Sequence, residues 1–168
     1  GYTPIVQAIL DHPSITVHLS TRFERAQSSN YDHVVWTGPI DAYFGFEHGR
    51  LAYRTLDFEQ HVSDGDFQGC PVLNYCDEQV PYTRITEHKH FAPWENHDST
   101  VTYTEFSRLC GDNDTPYYPI RLVKETDQLV NYVYQARAQH GVTFLGRLGT
   151  YRYLDMDVTI HEALAAST

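Results

Sequence analysis

The order of hydrophobic and polar residues divides the chain into three stretches of different character. Residues 1–48 mix helical spacing with the alternation typical of strands, and residues 49–120 alternate almost throughout. Residues 121–168 return to helical spacing, with one short apolar run between two helical segments. The pattern predicts an α/β frame that is interrupted by an inserted antiparallel β-sheet.

The first stretch is predicted to hold one helix, two strands and a helical turn. Residues 2–10 have the composition of a short helix that ends before Pro13. Residues 15–19 alternate apolar and polar side chains, which predicts a half-buried strand. Residues 33–37 are nearly all apolar and precede a Gly-Pro pair, so we expect a strand that is buried on both faces. A helical turn is expected over residues 40–46.

The middle and last stretches are predicted from the same two periods. Alternation, bounded by glycine and aspartate clusters, predicts strands over residues 51–62, 72–75, 83–91 and 101–106. Apolar residues at intervals of three and four predict an amphipathic helix over residues 129–140. A strand over residues 142–145 and a second helix over residues 155–164 complete the expected order.

Composition narrows the class of protein. The formal net charge is −10, from 22 acidic and 12 basic residues, which does not suit nonspecific binding to nucleic acid. The 13 tyrosines suit half-buried strands or a pocket for a sugar or a base. The three cysteines form no Cys-x-x-Cys pair, which argues against a disulfide framework and favours a cytoplasmic protein. No apolar run approaches the roughly 18 residues that a membrane span needs.

The segment 74–84 is the first candidate for chemistry. It places an amide, two tyrosines and an arginine around a turn at Pro81. Arg84 is suited to binding a phosphate group through two parallel hydrogen bonds. The same guanidinium can instead form a surface ion pair with Asp77 or Glu78, and spacing alone leaves both interpretations open.

Three histidines form a second candidate. His88 and His90 would point to the same face of the predicted strand, as zinc ligands do, and His97 would be a third ligand. The alternative is that all three are ordinary histidines of a sheet. The spacing does not exclude either interpretation.

Two further segments have the composition of a ligand site. Residues 116–119 read Pro-Tyr-Tyr-Pro, a stiff loop that either presents two phenols or simply links two elements. Residues 144–157 have the layout of a strand, a glycine turn and a helix start, whose free N–H groups can bind an anion. Asp155 can instead cap the helix. No G-x-G-x-x-G dinucleotide motif occurs in the 168 residues.

The sequence resembles the UDP-galactopyranose mutase family over nearly its whole length. The matching segments, in the family's order and spacing, are residues 1–3, 34–41, 53–56, 66–69, 74–84, 87–91, 116–120 and 146–157. The resemblance implies a discontinuous, Rossmann-like FAD-binding domain, with residues 1–48 and 121–168 as its later pieces and residues 49–120 as an antiparallel sheet substrate domain. It also implies that the family's N-terminal FAD-binding segment, with its glycine-rich phosphate loop, would precede residue 1.

The resemblance further implies a reaction. Enzymes of this family are isomerases that convert UDP-galactopyranose to UDP-galactofuranose, a donor for cell wall polysaccharide biosynthesis, and they need FAD in its reduced form. The flavin N5 forms a covalent adduct with the sugar, so the protein holds UDP and positions the sugar. We expect a homodimer for a full-length protein and no activity for these 168 residues alone. The alternatives are a noncatalytic nucleotide-sugar-binding domain and a metal-binding β domain.

Position by position, the resemblance implies roles for individual residues. The catalytic residues are Arg84, which would hold the UDP diphosphate, and Asp155, which would lie beside the sugar and the flavin. The substrate-binding residues are Arg54, Asn74, Arg84, Tyr118 and Tyr153. The cofactor-binding residues are Thr37, Gly38, Arg147, Leu148, Gly149, Asp155 and Met156. The resemblance implies no metal ligand.

Overall fold

The computed structural model describes residues 2–120 and 126–167 of the chain. The helices are α1 Thr3–Leu10, α2 Ile40–Tyr43, α3 Thr126–Ala138, α4 Gly146–Gly149 and α5 Met156–Ala166. The strands are β1 Val34–Trp36, β2 Tyr53–Asp64, β3 Val72–Asn74, β4 Arg84–Glu87, β5 Ser99–Leu109, β6 Tyr118–Pro119 and β7 Val142–Phe144. Short 3-10 helices cover Arg25–Asn30 and His88–Phe91. Within the described ranges, no helix has both the length and the apolar composition to cross a membrane.

The middle of the chain forms a five-stranded antiparallel sheet with the order β3-β4-β5-β2-β6. Its centre is the long β2–β5 pair, which runs in unbroken register from Arg54 opposite Leu109 to Asp64 opposite Ser99. β2 has the length that its alternating pattern predicts but begins and ends two residues later, whereas β5 is five residues longer than predicted. The prediction of an antiparallel sheet is therefore confirmed.

The second sheet is a parallel pair of β1 and β7, which places Val34 opposite Val142 and Trp36 opposite Phe144. Because the whole antiparallel sheet lies between these two strands in the sequence, the predicted α/β frame with an inserted sheet is confirmed. The expected burial of β1 on both faces is wrong, since the side chain of Val35 is 55% exposed. The division into FAD-binding and substrate domains stays a prediction.

A mainly aromatic core packs β7 against the residues that follow β1, and Tyr53 of β2 belongs to the same buried cluster. The rings of Tyr43, Phe44 and Phe144 lie 5.0–5.7 Å apart, and Phe44 also stacks on the buried Tyr132 of α3. Such aromatic pairs stabilise a core beyond the area that they bury. The core thus fixes β7, and the glycine turn that follows it, against the element α2 that follows β1.

Two predicted strands differ from the structure. Residues 15–19 form no strand, because no neighbouring strand pairs with them, and Leu19 is 83% exposed. The strand expected over residues 83–91 ends at Glu87, where its pairing with Thr102 ends. The backbone then turns into the 3-10 helix, which brings His90 back towards Glu87.

Candidate functional site

The register of three adjacent strands brings the first group of candidate site residues together. Arg84 on β4 lies directly opposite Asn74 on β3 and Glu105 on β5. Directly opposed residues of antiparallel strands project to the same face of the sheet. The three polar side chains therefore form a row across that face, although they are far apart in the sequence.

The guanidinium of Arg84 has two partners in this row. Its Nε donates a hydrogen bond to Oδ1 of Asn74 at 3.0 Å, and its Nη1 lies 3.9 Å from Oε2 of Glu105. The expected alternative, a surface ion pair with Asp77 or Glu78, is wrong: β4 directs the arginine towards its strand neighbours. The Arg84 side chain is 41% exposed, so its terminal nitrogens remain within reach of a ligand.

The same face also holds the second predicted arginine. Arg54 on β2 lies opposite Tyr118 on β6, and the two backbones are joined by the N–H of Tyr117, which donates to the Arg54 carbonyl at 2.9 Å. Phe58, which lies opposite Glu105, has the same parity along β2 as Arg54, so both arginines project to one face. From the residue and strand spacings of a flat sheet, the Cα atoms of Arg54 and Arg84 are roughly 16 Å apart.

Three predicted site residues form an aromatic–cation cluster beside β6. The rings of Tyr118 and Tyr153 stack with centroids 5.8 Å apart, and the Arg147 guanidinium lies 4.9 and 4.8 Å from them. Arg147 also donates from Nε and Nη2 to the Leu154 carbonyl at 3.1 and 2.5 Å. These contacts fix the arginine and orient both phenol rings.

The predicted cofactor-side residues meet where two backbones touch. The N–H of Leu145 donates to the Trp36 carbonyl at 3.0 Å, which brings α4 against residues 37–38. A Cβ atom at Gly149 would lie 2.7 Å from the Trp36 carbonyl oxygen, so only glycine permits this approach. Thr37, Gly38 and Gly149 are thus neighbours in the structure, and their role in binding a cofactor stays a prediction.

The remaining predicted residues flank this contact. Leu148 packs against the aromatic core with part of its side chain. Asp155 is the N-cap residue of α5, but its side chain makes no capping hydrogen bond, and the adjacent Met156 is exposed. The first-turn N–H groups of α5 therefore lack the side-chain cap that the sequence suggested, and the helix start carries a partial positive charge.

The three-histidine metal site does not form. His88 packs its ring on Phe91 and Tyr103, whereas His97 lies 3.0 Å from Glu95. In the part of the chain that the structure describes, neither belongs to a group of metal-ligand atoms with His90, because the 3-10 helix replaces the strand on which the prediction relied. The predicted set of three histidine ligands is wrong.

Sequence reasoning missed Glu105, whose side chain is nearly buried beside Arg84. The alternation of residues along β5 indicates which face of the sheet Glu105 occupies. The pairing of β5 with β4, which brings Glu105 to Arg84, cannot be predicted from the spacing. The predicted residues fall into three groups, around Arg84, around Arg147 and around Gly149, and the described contacts do not join the Arg84 group to the other two.

Comparison with known proteins defines the class. A sequence model of the UDP-galactopyranose mutase family matches residues 1–153. The chain belongs to this family.

Three individual proteins are similar to the chain in sequence or in fold. The chain is 55% identical to a probable UDP-galactopyranose mutase of Klebsiella pneumoniae, over 98% of the chain and 43% of that protein. It is 52% identical to a dTDP-fucopyranose mutase of Escherichia coli, over 98% of the chain and 45% of that protein. The fold is similar to a crystal structure of a reduced UDP-galactopyranose mutase, with a TM-score of 0.61 at 15% identity over 89% of this chain and 46% of that one. The chain thus spans less than half the length of these relatives.

Proposed function

We propose that this chain supplies the diphosphate-binding and flavin-side part of an FAD-dependent mutase that converts UDP-galactopyranose to UDP-galactofuranose. The observation that carries the proposal is the placement of Arg54, Asn74, Arg84 and Tyr118 on one face of the antiparallel sheet. The two arginines, roughly 16 Å apart for a flat sheet, outnumber the one acidic residue beside Arg84, Glu105, so this part of the face is positive in a chain whose formal net charge is −10. Such a region suits a dianionic diphosphate.

Arg84 is the principal diphosphate ligand in this proposal. Asn74 occupies Nε and Glu105 lies 3.9 Å from Nη1, so Nη2 is the nitrogen most open to a phosphate oxygen, and Nη1 would have to turn partly away from Glu105 to join it. Each charge-assisted hydrogen bond of this kind contributes about 1.5–3 kcal/mol. When the sugar–phosphate bond breaks, negative charge grows on the diphosphate, so Arg84 also stabilises the leaving group.

Arg147 has a positioning role. It is held by the Leu154 carbonyl and by the rings of Tyr118 and Tyr153, so it orders two phenols whose hydroxyls are suited to donate to the diphosphate. Tyr153 is 68% exposed and therefore open to a ligand. Asp155, two residues further on, supplies an acceptor for a sugar hydroxyl.

The cofactor would lie against the contact between residues 37–38 and α4. The residues fit a flavin edge in two respects: the backbones meet without intervening side chains, and the start of α5 offers N–H groups without a side-chain cap. When bound in its reduced form, FAD supplies the nucleophile of the reaction. Gly149, Leu148 and Met156 would set the distance between the cofactor and the sugar.

Two named relatives act on different nucleotide sugars, so the substrate needs its own test. We propose UDP-galactopyranose because the family and the relative that is 55% identical both carry that name. The dTDP-fucopyranose mutase, at 52% identity, makes dTDP-fucopyranose the competing substrate. Incubation of a full-length protein that contains this chain with each sugar nucleotide and dithionite-reduced FAD, followed by chromatography of the products, distinguishes them.

Titration of UDP by calorimetry tests the site itself. We expect the 168-residue chain to bind UDP weakly and Arg84→Ala to abolish the signal. The matched control is Arg22→Ala, which removes an exposed arginine paired only with Glu24 in the described structure and should leave binding unchanged. Absence of UDP binding would count against the proposal. UDP binding without turnover, in a protein that also holds FAD, would favour a noncatalytic nucleotide-sugar-binding domain.

A further inference from the structure

A second polar cluster lies on the opposite face of the antiparallel sheet from Arg84. It consists of Asp66, Glu87 and His90, whose ligand atoms all lie within 4.8 Å of one another. Nε2 of His90 is 3.2 Å from Oδ2 of Asp66 and 3.4 Å from Oε2 of Glu87. Among the described residues, no other group of histidine, cysteine and acidic side chains has this geometry.

The His90 nitrogen is buried and, despite these short distances, makes no hydrogen bond of acceptable geometry. Buried polar atoms nearly always have a partner. A ring nitrogen that faces two carboxylates without bonding to either is the arrangement expected of three ligands around a shared ion.

Other groups already fix the two carboxylates. Oδ1 of Asp66 accepts from the Gly69 N–H at 2.7 Å, which leaves Oδ2 for the cluster. The fully buried Glu87 accepts from Thr100 Oγ1 at 2.6 Å and from the N–H groups of Phe67 and Gln68 at 3.0 and 2.8 Å. Hydrogen bonds of this kind orient metal ligands and keep them ionised.

We propose that Asp66, Glu87 and His90 form a binding site for a divalent cation of the zinc class, with water as the fourth ligand. In a tetrahedral zinc centre with bonds of about 2.0–2.1 Å, neighbouring ligand atoms are about 3.3 Å apart. The two distances from Nε2 match this spacing. The ion would tie the turn that holds Asp66 to the end of β4, so its role is structural and does not depend on the proposed mutase site.

Lys89 limits the affinity. Its Nζ donates to the Gly65 carbonyl at 2.6 Å and lies 3.6 Å from Asp66 Oδ2 and 3.9 Å from Glu87 Oε1. A positive charge this close repels a cation. Lys89→Gln should therefore tighten metal binding, which is an outcome that no simple ion-pair network predicts.

Zinc titration of the EDTA-treated 168-residue chain by calorimetry tests the proposal. We expect one Zn²⁺ per chain, removable by chelator, and a Zn²⁺-dependent rise in the unfolding temperature. His90→Gln should weaken binding by about tenfold or more. His88→Ala, in the same 3-10 helix, and His97→Ala are matched controls that should bind as the wild type does. Co²⁺ in place of Zn²⁺ should give a visible absorption band that His90→Gln loses.

Two results of these titrations would contradict the proposed metal site. If the wild-type chain takes up no Zn²⁺, or if His90→Gln binds it as well as the wild type, the cluster is a network of polar and charged side chains that holds no metal ion. Circular dichroism checks that the variant is folded. If His90→Gln is unfolded, Asp66→Asn removes a ligand from the exposed side of the cluster and must weaken Zn²⁺ binding in the same way.

Discussion

Arg84 donates a hydrogen bond from Nε to Oδ1 of Asn74 at 3.0 Å, across the paired strands β3 and β4. The amide thereby fixes the plane of the guanidinium while its terminal nitrogens stay free of Asn74. Both residues were predicted to touch the substrate directly. Within the proposed function, Asn74 would orient Arg84 through this hydrogen bond, and Arg84 would bind the diphosphate.

This division gives different effects for the two residues. Asn74→Ala removes a positioning hydrogen bond, so we expect UDP affinity to fall by about tenfold or less. Arg84→Lys should lower affinity further, because an ammonium group cannot form the bidentate contact. Calorimetric titration measures both, and a larger loss in Asn74→Ala than in Arg84→Lys would show that Asn74 is itself the main ligand.

Gly149 should not tolerate a methyl group. Gly149→Ala places Cβ 2.7 Å from the backbone oxygen of Trp36, so one backbone must move. We expect the free energy of unfolding to fall by about 1–3 kcal/mol. Urea denaturation measures the change. Gly111→Ala is the control, because its Cβ would meet only the far end of the Asp114 side chain at 3.1 Å, and it should cost less.

Tyr151 should contribute through its hydroxyl as well as its ring. The buried hydroxyl lies 2.7 Å from the Ala52 carbonyl oxygen and 2.6 Å from that of Ile120, so one proton serves two acceptors. Tyr151→Phe removes this donor from both carbonyls, although that of Ala52 still accepts from the Ile120 N–H at 2.9 Å, and should cost about 1–3 kcal/mol of unfolding free energy. Tyr134→Phe, at a side chain that is 77% exposed, should change it by less than about 0.5 kcal/mol.

Glu87 should make the chain sensitive to acid. Burial by itself raises the pKa of Glu87, but the hydrogen bonds from Thr100, Phe67 and Gln68 outweigh it and lower the pKa from 4.5 to about 2 in the folded state. Between these two values, the unfolded chain binds a proton that the folded chain does not. The free energy of unfolding must then decrease as the pH falls through this window, and the contribution is fully present above it.

Glu87→Gln tests this assignment. The variant should show a weaker dependence of unfolding free energy on pH across the window from 4.5 to about 2. The dependence will not vanish, because Arg108 also lowers the pKa of Asp57 and of Asp114. Glu78→Gln, at an exposed position, is the control. An unchanged pH profile in Glu87→Gln would assign the acid sensitivity to other carboxylates.

The sequence by itself determined those helices and strands whose signals lie in neighbouring residues. Residues 2–10, 142–145 and 155–164 were predicted close to their observed bounds, because the residues that start and end a helix or strand act over a few neighbouring positions. This holds although α1 and α5 contain no buried residue. The resemblance of its motifs also identified the family. Alternation over residues 15–19 failed, because a period of two indicates a strand only where a neighbour supplies hydrogen bonds.

Only the tertiary structure decided which residues act together. The partners of Arg84 are set by the register of β3, β4 and β5, which joins residues ten and more positions apart. The cluster around His90 depends on a backbone turn after Glu87 that its alternating sequence does not show. The reason is physical: spacing along the chain encodes the face that a side chain occupies, whereas its neighbours on that face are chosen by pairing and packing between segments distant in the sequence.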